Sequence, residues 1–231
     1  MARRLILKGI FPVILILGIT FANADKGDNR LTPAEKAAGW RLLFDGKSLK
    51  GWKATGDPKG WAVQDAAIVN LVKGGGYLAT EETFGNFQLA LDYKIEKGVN
   101  SGIFFRWANL SDPVQTGIEM QILDSYGNKE PSKHDNGAIY DVLAPKKEAS
   151  KPAGEWNHVV LTCKDNLIMV DMNGERIITM NLDRWTEAHK NPDGSANKFD
   201  TPYKDMPRSG HIGIQDHGGK IWVKNIKIRP L

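Results

Sequence analysis

The sequence has a single cysteine, Cys163, and it lacks the motifs of several common chemistries. One cysteine cannot form an internal disulfide, and its place in the apolar stretch VVLTCK is typical of a small buried side chain rather than a nucleophile. There is no Cys and His cluster at zinc spacing, no glycine-rich phosphate loop and no Gly-x-Ser-x-Gly elbow. Without a disulfide, the domain must rely on its core.

The long apolar runs of membrane proteins are also lacking, apart from a short one near the N-terminus. Basic residues precede it, Pro12 and Gly18 interrupt it, and Ala22-Asn23-Ala24 follows it. This order is typical of a secretory signal peptide, whereas a membrane anchor needs a longer uninterrupted span. We expect residues 1–24 to be a signal peptide, the mature chain to begin at Asp25, and the protein to be periplasmic or secreted with no stable membrane anchor.

An excess of charge of one sign is lacking as well. The chain has 31 Lys and Arg against 27 Asp and Glu. Arg3, Arg4 and Lys8 lie in the signal peptide, so the remainder carries 28 basic residues against the same 27 acidic ones. No basic stripe interleaved with aromatic residues appears in the sequence, so nucleic acid is not an expected partner.

What the chain does have is a succession of β patterns. Residues 25–39 are polar and contain a short helix signal, with Thr32 as the cap and Pro33 in the first turn. From residue 40 to 231 the sequence reads as one domain. FGNFQLALDYKIEK alternates between apolar and polar residues, and NSGIFFRW, GIEMQILD and GAIYDVL are predicted as short strands.

Tight turn signals separate further strands of this domain. Asp165-Asn166 and Asn173-Gly174 divide a three-strand meander, and Gly218-Gly219 closes the last hairpin. The polar stretch 184–209 is too long for a simple turn and is typical of a functional lid or a disordered edge. Many short strands with turns between them predict an all-β antiparallel sandwich.

Polar residues on single strand faces predict the site. In GIEMQILD, Glu119 and Gln121 share the face opposite Ile118 and Met120, and Asp124 follows just beyond. Side chains alternate along a strand, so a carboxylate and an amide on one face indicate a surface that meets water or a ligand.

The strand NSGIFFRW carries a second part of the predicted site. Alternation places Asn100, Gly102, Phe104 and Arg106 on one face, and a glycine inside a strand often marks close approach of a ligand or another backbone. Arg106 could hold a carboxylate or a sugar hydroxyl, or it could form a structural ion pair with Glu119.

The last hairpin supplies a third part, because Gln215 and His217 share a face of HIGIQDH. Histidine is the natural acid or base near neutral pH, although one beside a Gly-Gly turn is often an ordinary loop residue. Tyr140 is a further candidate. A hard-metal site built from Glu119, Asp124 and His217 is possible, but no spacing requires it. We therefore predict no required cofactor, with a divalent cation as an open option.

These residues lie within motifs by which the chain resembles the 3-keto-disaccharide hydrolase domain family, which is distantly similar to family-16 glycoside hydrolases. The resemblance implies a concanavalin A-like jelly roll of two antiparallel sheets, with the site on a concave face, together with export and a carbohydrate substrate oxidised at one hydroxyl. The matching segments occur in order as LLFDGKSLKGW, WAVQD, GGYLAT, FGNFQLALDYKI, NSGIFFR, IEMQILD, GAIYD, GEWNHV, NGERI, GHIGIQDHG and VKNIKIRPL. One departure is Ala66, in a turn where the family usually has glycine.

The resemblance also separates two mechanisms. Family-16 enzymes present Glu-x-Asp-x-x-Glu, and a retaining double displacement needs two carboxyl groups about 5–5.5 Å apart. Here the positions read Glu119-x-Gln121-x-x-Asp124. A ketone at C3 of the sugar would acidify the C2 proton, so one base could start an elimination of the glycosidic oxygen, followed by addition of water.

The resulting hypothesis assigns a role to each candidate residue. Glu119 or His217 is the base, Arg106 or Gln121 polarises the ketone, Asp124 orients a neighbour or aids the leaving group, Asn100 and Gln215 bind hydroxyls, and Tyr140 contacts the substrate. The alternative is a non-catalytic, lectin-like carbohydrate-binding module on the same fold, in which Trp61, Trp107 or Trp185 would stack on sugar rings. A structural module of a surface assembly is a third interpretation. The oligomeric state is left unassigned.

Overall fold

The computed structural model describes residues 27–71 and 74–231, so the predicted signal peptide lies outside the described residues. Two antiparallel sheets pack face to face as a sandwich, which confirms the predicted all-β fold class and is consistent with a jelly roll. Within the described ranges, no helix has the length and apolar character needed to cross a bilayer.

The strands are short and connected mainly by turns. Among the described residues, two short α-helices accompany them, α1 (Pro33–Ala37) and α2 (Pro113–Thr116). In chain order the strands are β1 (Arg41–Leu42), β2 (Trp52–Ala54), β3 (Trp61–Gln64), β4 (Ala67–Asn70), β5 (Tyr77–Thr80), β6 (Phe87–Ile95), β7 (Asn100–Trp107), β8 (Ile118–Leu123), β9 (Asn157–Lys164), β10 (Leu167–Met172), β11 (Glu175–Asn181), β12 (His211–Gln215) and β13 (Ile221–Pro230).

The two sheets differ in size. The eight-stranded sheet has the order β11-β10-β9-β6-β13-β4-β3, and β1 pairs with β13 beside this path. The five-stranded sheet has the order β2-β5-β12-β7-β8. Strands β7, β8 and β12 are therefore neighbours, so the three polar segments predicted from the sequence lie in one sheet.

Several local predictions are confirmed. Thr32 caps α1 in a capping box with Glu35, and Pro33 lies in the first turn. Asn173 and Gly174 both have positive φ, 51° and 88°, as the tight turn between β10 and β11 requires. The predicted last hairpin at Gly218-Gly219 is wrong, because β12 and β13 belong to different sheets and this segment connects one sheet to the other.

The segment GAIYDVL is a turn rather than the predicted strand. Positive φ values of 82° at Gly137 and 61° at Asp141 interrupt the extended backbone. The turn still runs along the edge of β8, because the Gln121 N–H donates to the Ala138 carbonyl (2.9 Å) and the Tyr140 N–H to the Glu119 carbonyl (3.0 Å). It therefore places Tyr140 beside Glu119.

The alternation of β8 determines which side chains enter the core. Ile118, Met120 and Ile122 are fully buried between the sheets, as predicted. On the opposite, outer face of the five-stranded sheet, Phe104 and Trp107 belong to a second, smaller apolar cluster. This outer face carries the candidate site.

The polar stretch 184–209 is an anchored loop and not a disordered edge. Trp185, Phe199, Tyr203 and Met206 from this stretch are buried in the main core. Burial of four large side chains fixes the path of the loop, so the residues between them have defined positions next to the five-stranded sheet.

Candidate active site

A cavity of about 210 Å³ opens on the outer face of the five-stranded sheet. It brings together most of the predicted site residues and adds three that the sequence did not indicate, Tyr77, Val114 and Lys198. The predicted residues that line it are Asn100, Glu119, Gln121, Tyr140, Gln215 and His217.

The register of the sheet explains this convergence. Gly102 of β7 pairs with Gln121 of β8, and Phe104 pairs with Glu119. On the other side of the cavity, Gln215 of β12 pairs with Tyr77 of β5. Residues directly opposite each other in an antiparallel pair project to the same face, so the side chains of four strands share one surface.

Gly102 allows the Glu119 side chain to lie flat across the sheet. A Cβ atom at Gly102 would lie only 2.2 Å from Oε1 of Glu119, so any larger residue would displace the carboxyl group. The predicted close approach at this glycine is thus made by the Glu119 side chain.

The environment of Glu119 favours its neutral form. The residue is only 9% exposed, and burial raises its pKa to about 7, although the positive charge of Lys198 works in the opposite direction. A carboxyl group with a pKa near neutral pH can accept and return a proton in water at that pH, which is the requirement for a general base.

Amide and phenol groups surround this carboxyl group. Gln121 Nε2 donates to Asn100 Oδ1 (3.1 Å), and Gln215 Nε2 donates to the Tyr77 hydroxyl (3.0 Å). Burial raises the pKa of Tyr77, while its hydrogen bond to Gln215 works against that effect. Oε1 of Gln215 is buried and has no hydrogen-bond partner within the described part of the chain. This wall therefore offers neutral hydrogen-bonding groups.

Two exposed residues, His217 and Lys198, line the mouth of the cavity. His217 is exposed in the turn after β12. The Lys198 ammonium lies 4.3 Å from the centre of the Tyr140 ring, within the range of a cation–π contact. No periodicity marks Lys198 in the sequence, because it comes from an irregular loop far from the strands it meets.

Arg106 does not line the cavity, and the predicted face for its side chain is wrong. Between β7 and β12, Phe104 pairs with Gly213 and Trp107 with His211, so one extra residue lies on β7. Arg106, with φ of 50°, lies in this bulge, and Trp107 takes the outward direction instead.

The Arg106 guanidinium is buried among other loops. Its nitrogen atoms donate to the carbonyls of Gly85 (3.3 Å) and Asp165 (2.9 Å) and to Oδ1 of Asn86 (3.2 Å). It therefore ties β7 to two loops, and its partners are these oxygens rather than Glu119, the ion-pair partner considered above.

Asp124 also lies outside the cavity lining. Its Oδ2 accepts a hydrogen bond from the Gly98 N–H (2.8 Å), which fastens the turn between β6 and β7. Among the described residues, no group of three or more His, Cys, Asp or Glu side chains could hold a metal ion. The possible metal site of Glu119, Asp124 and His217 is thus not formed.

The three tryptophans considered as sugar platforms are packing residues. Trp61, Trp107 and Trp185 are 4%, 0% and 4% exposed. A side chain with so little accessible surface cannot stack on a sugar ring, so this support for a lectin-like module is removed.

Known proteins resemble this chain in sequence and in fold. Residues 39–229 match the family described as 3-keto-alpha-glucoside-1,2-lyase-like domain. A protein of Bacteroides thetaiotaomicron named 3-keto-disaccharide hydrolase is 26% identical over 84% of this chain and 79% of its own length.

Two solved structures of candidate glycosyl hydrolases from Parabacteroides distasonis are also similar. One is 34% identical, with a TM-score of 0.76, over 83% of this chain and 99% of the other. The second is 30% identical, with a TM-score of 0.74, over 89% and 100%. These relatives place the protein in a class of carbohydrate-active hydrolases. The chain belongs to the 3-keto-alpha-glucoside-1,2-lyase-like domain family, as the sequence motifs indicated.

Proposed function

We propose that this protein cleaves the glycosidic bond of 3-keto-disaccharides or related 3-keto-glycosides by proton abstraction at C2, elimination and hydration. The observation that carries the proposal is the buried Glu119 with its pKa of about 7. Of the described residues that line the cavity, Glu119 is the only carboxylic acid. A double displacement needs two carboxyl groups, whereas an elimination beside a ketone needs one base.

The proposed reaction is balanced without a redox step. The base removes the C2 proton, and the electron pair of the C2–H bond moves into an enolate at C2, C3 and the ketone oxygen. When the enolate collapses, C1 and C2 become doubly bonded, and the glycosidic oxygen leaves and is protonated. Water then adds its oxygen to C1 and a proton to C2, which restores the 3-keto sugar.

The residues of the cavity fit the groups that this reaction requires. Glu119 is the proposed base, with the exposed His217 as the alternative, and Gln121 is the proposed donor to the ketone oxygen. Asn100 and Gln215 are placed to bind hydroxyl groups, and Tyr140 to contact the substrate. Arg106 and Asp124 have no role in the proposed reaction, because their side chains form hydrogen bonds outside the cavity. The proposed location of the reaction is the periplasm or the exterior of the cell.

The test is to incubate the protein with 3-keto-trehalose and 3-keto-lactose, beside the unoxidised disaccharides, with and without a chelator. We expect cleavage of the keto forms alone. Loss of activity with the chelator would show that a divalent cation is required. Saturable binding without cleavage of any sugar would contradict the proposal and favour the lectin-like module.

A further inference from the structure

Lys198 has an unusually defined position for an exposed lysine on a long loop. Its backbone N–H donates to Oδ2 of Asp141 (2.9 Å), and its carbonyl accepts from Nε2 of Gln115 (3.1 Å). Its neighbours Asn197 and Phe199 are both buried. The backbone is thus held on both sides, and the Lys198 side chain lines the cavity.

The ammonium group contacts one aromatic residue of the cavity and acts electrostatically on Glu119. It lies over the Tyr140 ring, 4.3 Å from the ring centre, and its charge stabilises the ionised form of Glu119. Of the described residues that line the cavity, Lys198 is the only lysine or arginine. From the sequence, Arg106 is the predicted permanent cation of this site. In the structure the permanent cation is Lys198, from a different part of the chain.

We propose that Lys198 is the electrophilic residue of this site, with its ammonium group donating a hydrogen bond to the ketone oxygen of the substrate. This inference rests on the proposed function. As Glu119 takes the C2 proton, the electron pair moves onto the ketone oxygen and the ammonium group stabilises the enolate. The ammonium keeps its own protons. The negative charge leaves the ketone oxygen when the enolate collapses and the glycosidic oxygen departs.

A cation suits this position better than the Gln121 amide alone. Hydrogen bonds from a charged donor to an anion are about twice as strong as neutral ones. The stabilisation grows as negative charge develops on the oxygen, so it acts mainly on the transition state. Contact with the Tyr140 face holds the ammonium in place without neutralising it.

The experiment compares Lys198→Met, which removes the charge, with Lys198→Arg, which keeps it. Lys190→Met is the matched control, because Lys190 lies on the same loop, outside the cavity lining, and pairs with Glu187. Loss of a donor to a developing oxyanion typically lowers kcat by about 10²–10³-fold. We expect that loss for Lys198→Met, a smaller loss for Lys198→Arg, and no change for Lys190→Met, with Tm unchanged in all three.

A second readout is the titration of the Glu119 carboxyl, which can be followed without turnover and compared with the pH profile of kcat/KM. The Glu119 carboxyl can be titrated by infrared difference spectroscopy, with Glu119→Gln as the reference. Because the Lys198 charge lowers the pKa of Glu119, the carboxyl should titrate at higher pH in Lys198→Met, and the rising limb of kcat/KM should move with it. Lys190→Met should leave both unchanged.

The outcomes separate this inference from the proposed function. Retention of kcat/KM within about threefold in Lys198→Met would overturn the role of Lys198 while leaving the reaction intact. If the wild type cleaves nothing, the affinities for 3-keto-lactose and lactose decide the role. If the wild type prefers the keto sugar and Lys198→Met abolishes that preference, Lys198 recognises the ketone oxygen. If the preference survives in Lys198→Met, or if the wild type has none, the role of Lys198 is overturned.

Discussion

Asp92 and Glu119 are carboxylic acids on the outer faces of the two sheets, and both are largely buried. Burial acts to raise the pKa of Asp92, but its hydrogen bonds with His158 and Asn225 outweigh this effect and the pKa is lowered. His158 Nδ1 and Asn225 Nδ2 each lie 2.6 Å from an oxygen of Asp92. Glu119 is also desolvated, but its pKa is raised to about 7.

The difference separates a structural carboxylate from a reactive one. Asp92 has partners for its charge within the protein, so its ionised form is stable and contributes to the fold. Glu119 lies against the backbone of Gly102, and the group that offsets its charge is Lys198 at the cavity mouth. Perturbed carboxyl groups of this kind are concentrated at functional sites.

The largest expected effect is on catalysis. Glu119→Gln keeps the size and shape of the side chain but removes the base, so kcat for a 3-keto-disaccharide should fall by about 10³-fold, within the range typical of a lost general base. Steady-state kinetics would measure the fall, and calorimetric titration with the same sugar should show that binding is retained.

Asp92→Asn is the matched control on the other sheet. It should leave kcat unchanged, because Asp92 lies outside the cavity lining. Equal losses of activity in the two variants would show that the contrast between the two carboxyl groups has no functional meaning.

The second effect is on stability and has opposite signs for the two sites. The pKa of Glu119 rises on folding from 4.5 to about 7, so its stabilising contribution is present below pH 4.5 and is lost as the pH rises through 7. Glu119→Gln has no carboxyl group and does not undergo this loss. The difference in free energy of unfolding between Glu119→Gln and wild type should therefore grow in favour of the variant by about 3 kcal/mol as the pH rises from 4.5 to 8.

For Asp92 the pKa is lowered on folding from 3.8, so its contribution is present above pH 3.8 and is lost in acid. Asp92→Asn should therefore be less stable than wild type at pH 7, and the deficit should shrink as the pH falls below 3.8. Urea unfolding at several pH values would measure both variants. A constant difference between Glu119→Gln and wild type at every pH would contradict the raised pKa.

A smaller effect is expected from Gly102→Ala. The new Cβ would lie 2.2 Å from the Glu119 carboxyl and would push it out of position, so kcat should fall by about 10–100-fold, as for other small displacements of a catalytic group. Gly85→Ala is the control, because its Cβ would make an ordinary contact of 3.6 Å. Kinetics of the two variants and their Tm values would show whether the loss is local.

Local patterns in the sequence were enough to predict the regular parts of the sheet and site. Alternation correctly placed Glu119 and Gln121 opposite a buried face. It gave the wrong face for Arg106, because a bulge adds a residue to one strand without changing the apolar pattern. Lys198 was missed because its position depends on buried loop anchors and on a bond to Asp141, which no periodicity encodes.

The most direct test of the central claim is to run the cleavage of 3-keto-lactose in D₂O and follow C2 of the keto sugar by NMR. Abstraction of the C2 proton predicts that the product carries deuterium at C2, or is an enone that has lost the C2 proton. Glu119→Gln and a sample without protein correct for background exchange. Cleavage that leaves the original proton on C2 would contradict the account, because it would mean that the glycosidic bond breaks without an enolate.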